Sequence, residues 1–315
     1  MCAKPVNIKA PPSPEQIAAT RRLYLKLTVF IVIVGGSIAG LVYLKRQVEL
    51  KYAHPTVPPT IVLKNRPTWM SDYLAARITD AAKPKGVHSA FDHQLLVDVA
   101  DALKSDPDVS PWIKEIRQVR RTYVHSPGDT IEVDCEFRAP VALVKWNESF
   151  WFVDNEGTKL PEQFNAQQVP KVILSPDGKV NIRIIEGARH VPSDPGMRWE
   201  GDDLTAGIEM VKLLHNQPFA DEIVKVDVSN FQGRDNPKDA YLKLITRYNT
   251  EIRWGRPISA KDAFVEVAGT RKLEVLERIR KQYGRVDAKQ PWLDIRFDKI
   301  TCPAPQPSEA SADGL

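Results

Sequence analysis

Residues 27–44 read LTVFIVIVGGSIAGLVYL, an uncharged run that decides how the rest of the chain is understood. A bilayer's hydrocarbon core takes about 20 apolar residues as a helix, and residues 23–25 extend this run once Lys26 snorkels its ammonium toward the headgroups. A buried core helix and the apolar part of a cleavable signal peptide are the competing readings. The basic brackets Arg21, Arg22 and Lys26 before the run, Lys45 and Arg46 after it, and the lack of a clear small-residue cleavage site favour an uncleaved anchor over residues 23–44. Orientation is not decided by charge, since Lys9, Arg21, Arg22 and Lys26 are nearly balanced by Lys45, Arg46, Lys51 and Lys64. Gly36 and Gly40 form a G-x-x-x-G spacing that would let two such helices approach, although glycine is common in membrane helices anyway.

The remaining composition is that of a folded protein. The net charge of +4 comes from 44 basic and 40 acidic residues spread over 315 positions, without the concentrated basic stripe that nucleic-acid phosphates demand. The 25 prolines gather between blocks and mark linkers and loops. Cys2, Cys135 and Cys302 lie far apart and match no metal spacing. Pairing of Cys135 with Cys302 is conceivable in an oxidising compartment, but Cys135 reads better as a small apolar core residue.

Residues 45–59 read as a linker, and the first folded block covers residues 60–138. A short apolar run at 61–63 is followed by Trp69, Tyr73, Leu74 and Ile78 at helical spacing, then by Leu95, Leu96, Val99 and Leu103 on one face of a second helix. Strands are expected over 113–124 and 130–137, joined by a turn at 126–129; in the second, Ile131, Val133, Cys135 and Phe137 alternate with acids. The order β-α-α-β-β matches a POTRA module, two helices over a three-stranded sheet, so the fold class is α+β.

The second block, residues 139–302, is mostly β. Strands are expected at 141–146, 150–153, 172–174, 180–185, 223–228, 241–246, 251–254 and 292–297. Two helices interrupt them: one carries Leu204, Ile208, Val211 and Leu214, the other Leu273, Leu276, Ile279 and Tyr283, with Thr270 as cap and Gly284 as stop. Residues 303–315 lack apolar residues to bury and are expected to be disordered.

No catalytic constellation is found. There is no G-x-S-x-G, S-x-x-K, H-E-x-x-H or glycine-rich phosphate loop. The six histidines, His54, His88, His93, His125, His190 and His215, are scattered. Asp202 and Asp203 beside Glu200 suit a helix N-terminus better than a metal. Cys135, next but two to Arg138, is turned inward by strand alternation. Neither an enzymatic activity nor a cofactor or metal is therefore expected.

Several short stretches, in order, resemble the FtsQ/DivIB family of bacterial division proteins. Pro111-Trp112-Ile113 looks like the Pro-Trp-Val before the second POTRA strand. Phe137-Arg138-Ala139-Pro140-Val141-Ala142 resembles the Glu-Arg-x-Pro-Val-Ala junction, and Phe152-Val153-Asp154-Asn155-Glu156-Gly157 the hairpin after it. Ile184-Ile185-Glu186-Gly187, Trp254-Gly255 and Leu293-Asp294-Ile295-Arg296-Phe297 follow, the last similar to Val-Asp-Leu-Arg-Tyr. The resemblance implies a bitopic scaffold in the bacterial inner membrane at the division septum. Its N-terminus (residues 1–22) would be cytoplasmic and its folded blocks periplasmic, docking other division proteins such as the FtsB/FtsL coiled-coil pair. Mapped by motif, Phe297 would touch that partner, with Asp298 and Lys299 beside it and Trp292 and Ile295 on the same strand; core packing of Phe297 is the competing reading. Arg117, Arg120 and Arg121 on the 113–124 strand form a second candidate surface, unless they only protect a sheet edge. A POTRA-bearing assembly or secretion factor and a membrane-anchored cell-wall enzyme are the alternatives.

Overall fold

The computed structural model describes residues 14–52, 58–86, 88, 92–122, 130–260 and 266–303. The turn expected at 126–129 and all but the first residue of the 303–315 tail lie outside these. The chain packs into two units, one of residues 1–62, 83–98 and 120–132, the other of residues 63–82, 99–119 and 133–315.

The first unit contains a 39-residue helix, α1 (Pro14–Tyr52). Its segment Arg21–Val48 is long and apolar enough to cross a membrane, and none of it is buried against the rest of the protein. At 1.5 Å per residue those 28 residues rise about 42 Å, more than a hydrocarbon core of roughly 30 Å. Residues 45–52, read as linker, continue the helix: Val48, Glu49 and Leu50 contain no breaker, and the prolines begin only at Pro55.

The elements β1 (Thr60–Lys64), α2 (Asp72–Ala81), α3 (Gln94–Ser105), β2 (Ile113–Thr122) and β3 (Thr130–Phe137) follow in the expected order. The three strands form one sheet ordered β1-β3-β2. Helix α2 starts where the Ser71 hydroxyl accepts the Leu74 N–H at 3.1 Å, an N-cap that satisfies one donor left over by the first turn. Its Leu74 and Ile78 are buried, whereas Tyr73 is exposed and Trp69 precedes the helix, so helical spacing overstated this face by two aromatics. On β3, Ile131, Val133 and Cys135 are buried and the acids between them are not, as the period of two requires.

From residue 142 a mixed sheet is built of β4 (Ala142–Trp146), β5 (Ser149–Val153), β6 (Lys159–Asn165), β7 (Arg183–Glu186), β8 (Ile223–Asp227), β9 (Leu242–Thr246), β10 (Glu251–Gly255) and β11 (Trp292–Asp294). Its order is β11-β10-β9-β8-β7-β4-β5-β6. The pairs β4/β7, β7/β8 and β10/β11 are parallel and the rest antiparallel. On one face Val144, Ile185, Val226, Leu244 and Ile252 pack with α5 (Asp202–His215) and α6 (Gly269–Tyr283). The alternate residues Leu143 and Ile184 face the short helix α4 (Val169–Ile173) through Val169 and Ile173.

Helix α5 lies tight on the sheet because Gly207 has no side chain: a Cβ there would stand 2.8 Å from Ile185 Cγ2. Helix α6 ends at Gly284 in the left-handed conformation (φ 73°), its N–H bonded to Arg280 O at 2.8 Å. Its N-cap is Ala268 and not Thr270, which sits inside the first turn, and Tyr283 is exposed and not part of the core face.

Three strand expectations need correction. Residues 172–174 are not a strand, because Pro170 occupies the first turn of α4, a position that suits proline. Strand β6 went unread: KLPEQFN carries a proline and polar residues, which only an outer strand tolerates, and β6 is an outer strand. The last strand stops at Asp294, three residues short of 297.

Candidate partner-binding site

Strand β11 forms one border of the large sheet. Its ladder is with β10, in the register Glu251↔Trp292, Ile252↔Leu293 and Arg253↔Asp294. Bonds from Glu251 N–H to Pro291 O and from Ile295 N–H to Arg253 O fix which groups face β10. By alternation the N–H and C=O of Trp292 and Asp294 face outward. Those of Asp294 are taken up by Thr301, at 2.8 and 3.1 Å, where the chain folds back. Among the described residues, no hydrogen bond is made to the outward backbone of Trp292.

The strand ends because Arg296 turns back on it. Its backbone N–H and guanidinium both donate to Asp294, the closest guanidinium contact being 2.7 Å, and this bond holds the Arg296 proton more tightly than usual. A second guanidinium nitrogen reaches Lys238 O at 3.0 Å, and Arg296 O accepts the Val267 N–H.

The residues expected at the site are therefore not equivalent. Ile295 is 1 % exposed and belongs to the core, so it offers nothing to a partner; alternation would put Phe297 on the same face, but the strand ends at Asp294. Phe297 is 42 % exposed, its ring lying 5.2 Å from the Arg296 guanidinium, and Asp298 and Lys299 beside it are exposed. Trp292 is half-buried under the Arg253 guanidinium, 4.6 Å from its ring, a cation–π contact.

Around Trp292 the outer face of β9 and β10 carries charges that sequence reading missed. Lys243 pairs with Asp239 at 2.8 Å and Glu251 at 3.3 Å, and Arg253 pairs with Glu251 at 2.9 Å. The signal was present in Glu251 and Arg253 alternating with Ile252 and Trp254, which are buried. All four side chains are half-buried, and together they give this face its charged character.

The second candidate surface lies on β2, an outer strand of the three-stranded sheet. Arg117 is paired to Glu136 at 2.6 Å and Arg120 to Glu132 at 2.7 Å, while Arg121 is half-buried. Arg117 and Arg120 are thus engaged by β3. On α1, nothing lies within 4 Å of the position a Cβ would take at Gly36 or Gly40.

Asp203 anchors the start of α5. It is 2 % exposed and accepts bonds from Arg234 at 2.7 Å, the Arg189 N–H at 3.0 Å and its neighbour Leu204. The Cys135 thiol is pushed up to about 11 by burial, and Cys135 and Cys302 are both free. No family model and no characterised protein matches the chain.

Proposed function

We propose that this chain is a single-pass scaffold of the bacterial division septum, not an enzyme, anchored in the inner membrane by α1 with its folded part periplasmic. In this reading it docks an FtsB/FtsL-like coiled-coil pair. The observation that carries the reading is the position of β11: an outer strand, with outward backbone at Trp292 and an exposed Phe297 just beyond it, invites a partner segment to add at the border. The ordered motifs shared with the FtsQ/DivIB family, the β-α-α-β-β order and a helix fit to cross a bilayer support it. Trp292, Phe297, Asp298 and Lys299 are the proposed contact residues, with Arg117, Arg120 and Arg121 as a second face and Gly36 and Gly40 for helix pairing.

Phe297→Asp tests the docking. It removes a side chain 42 % exposed and is expected to weaken capture of the co-expressed FtsB/FtsL-like pair by at least about tenfold, as loss of an aromatic anchor does, with the fold intact by circular dichroism. Unchanged capture removes the site. Depletion giving filamentous cells, and a fluorescent fusion gathering at mid-cell, support the septal assignment; normal division would favour an envelope assembly or secretion factor.

A further inference from the structure

Far along the sheet order from β11, the second unit contains an open groove of about 1010 Å3. Four aromatic rings run through it in contact: Trp69 to Trp112 at 6.1 Å between centroids, Trp112 to Phe152 at 6.4 Å, and Phe152 to Phe164 at 4.9 Å. Trp69, 38 % exposed, and Tyr73, 72 % exposed, leave apolar surface in water at its mouth. Isolated exposed aromatics are ordinary, but a continuous series lining a concave surface marks a binding site.

The charged groups of the groove are unequal in sign. Lys171 and Lys212 line it, against the carboxylate of Glu162. Glu162 is itself half-engaged: Oε1 accepts the Trp112 indole N–H at 3.2 Å and pairs with Arg77 at 3.5 Å. Its Oε2 is buried and accepts no hydrogen bond among the described residues.

We propose that this groove docks a short segment of a partner protein that carries aromatic or branched aliphatic side chains together with an acidic residue. The rings take the apolar side chains, and Lys171 and Lys212 take the acid. Two features select a peptide over an acyl chain with an anionic head: Asn155, Asn181 and Asn216 line the groove and can pair with peptide N–H and C=O groups, which an acyl chain lacks, and the volume stands at the upper limit of small-molecule sites, roughly 300–1,000 Å3. The inference rests on the groove alone and holds whatever binds at β11.

The full chain in lipid nanodiscs is panned against a random dodecapeptide phage library, with Trp69→Ala/Tyr73→Ala as the counter-selection. Both positions are partly exposed, so the variant keeps its fold, checked by circular dichroism. The expected result is enrichment of peptides pairing aromatic or aliphatic residues with Asp or Glu. A synthetic enriched peptide should bind Trp69→Ala at least about tenfold more weakly. Lys171→Glu/Lys212→Glu should weaken it likewise and recover binding when the peptide's acid is changed to lysine. No enrichment over the counter-selection, equal affinity for all variants, or displacement of the peptide by palmitate would overturn the proposal.

Discussion

Cys135 shows how far a single residue can be understood from its neighbours. Alternation with Glu132, Asp134 and Glu136 turns it inward, and burial then pushes its thiol to about 11. At pH 7 such a thiol is thiolate about once in ten thousand, and the thiolate is the reactive form. In the folded protein iodoacetamide should therefore modify exposed Cys302 within minutes and reach Cys135 only after denaturation, as mass spectrometry of peptides would reveal. Comparable rates for both would contradict the burial. Alternation does not extend to Ile295 and Phe297, because a period of two holds only while backbone pairing continues, and the Arg296–Asp294 turn interrupts it. Nothing in the letters of Leu293-Asp294-Ile295-Arg296 reports that turn.

Helix α6 rests on a buried cation. Lys272, 2 % exposed, donates to Glu266 and to Trp254 O, both at 2.7 Å, and lies 5.3 Å from the Trp254 ring. Burial lowers its pKa, opposed by Glu266, so the pair stands on a balance of desolvation against attraction. Lys272→Met should cost about 3 kcal/mol by leaving Glu266 without its cation, and adding Glu266→Gln should recover part of that; urea denaturation would measure both. An additive double variant would show the two groups uncoupled. Because the folded-state pKa of Lys272 lies below its unfolded value, this group weakens the folded state as pH falls through the window between them, and Lys272→Met should flatten stability across that alkaline range. The core face of this helix was legible from Leu276 and Ile279 at helical spacing, and its end from Gly284. Strand β6 and helix α4 were not: local composition argues against a strand with Pro161, which only the outer position of β6 overrides, and the run Val172-Ile173-Leu174 masks the local helix sign of Pro170.

For the molecule as a whole, α1 is a helix long and apolar enough to cross a membrane. The full chain should remain with membranes through alkaline carbonate washing, and residues 53–315 made alone should be soluble; release of the full chain by carbonate would refute a spanning helix. The apolar run made this helix legible, and the alternation of helical and strand patterns gave the α+β class. The sheet order was not legible. The parallel pairs β4/β7 and β7/β8 and the return of β11 to β10 join segments far apart in sequence, and short strands buried on both faces carry no signal of their neighbours. The fold-back of Thr301 onto Asp294 has one last effect. Any strand that seeks to lengthen the sheet past Trp292 meets a rival tethered seven residues away, present at very high effective concentration. Casual aggregation along this border is thereby suppressed, and a genuine partner must bind tightly enough to evict the occupant.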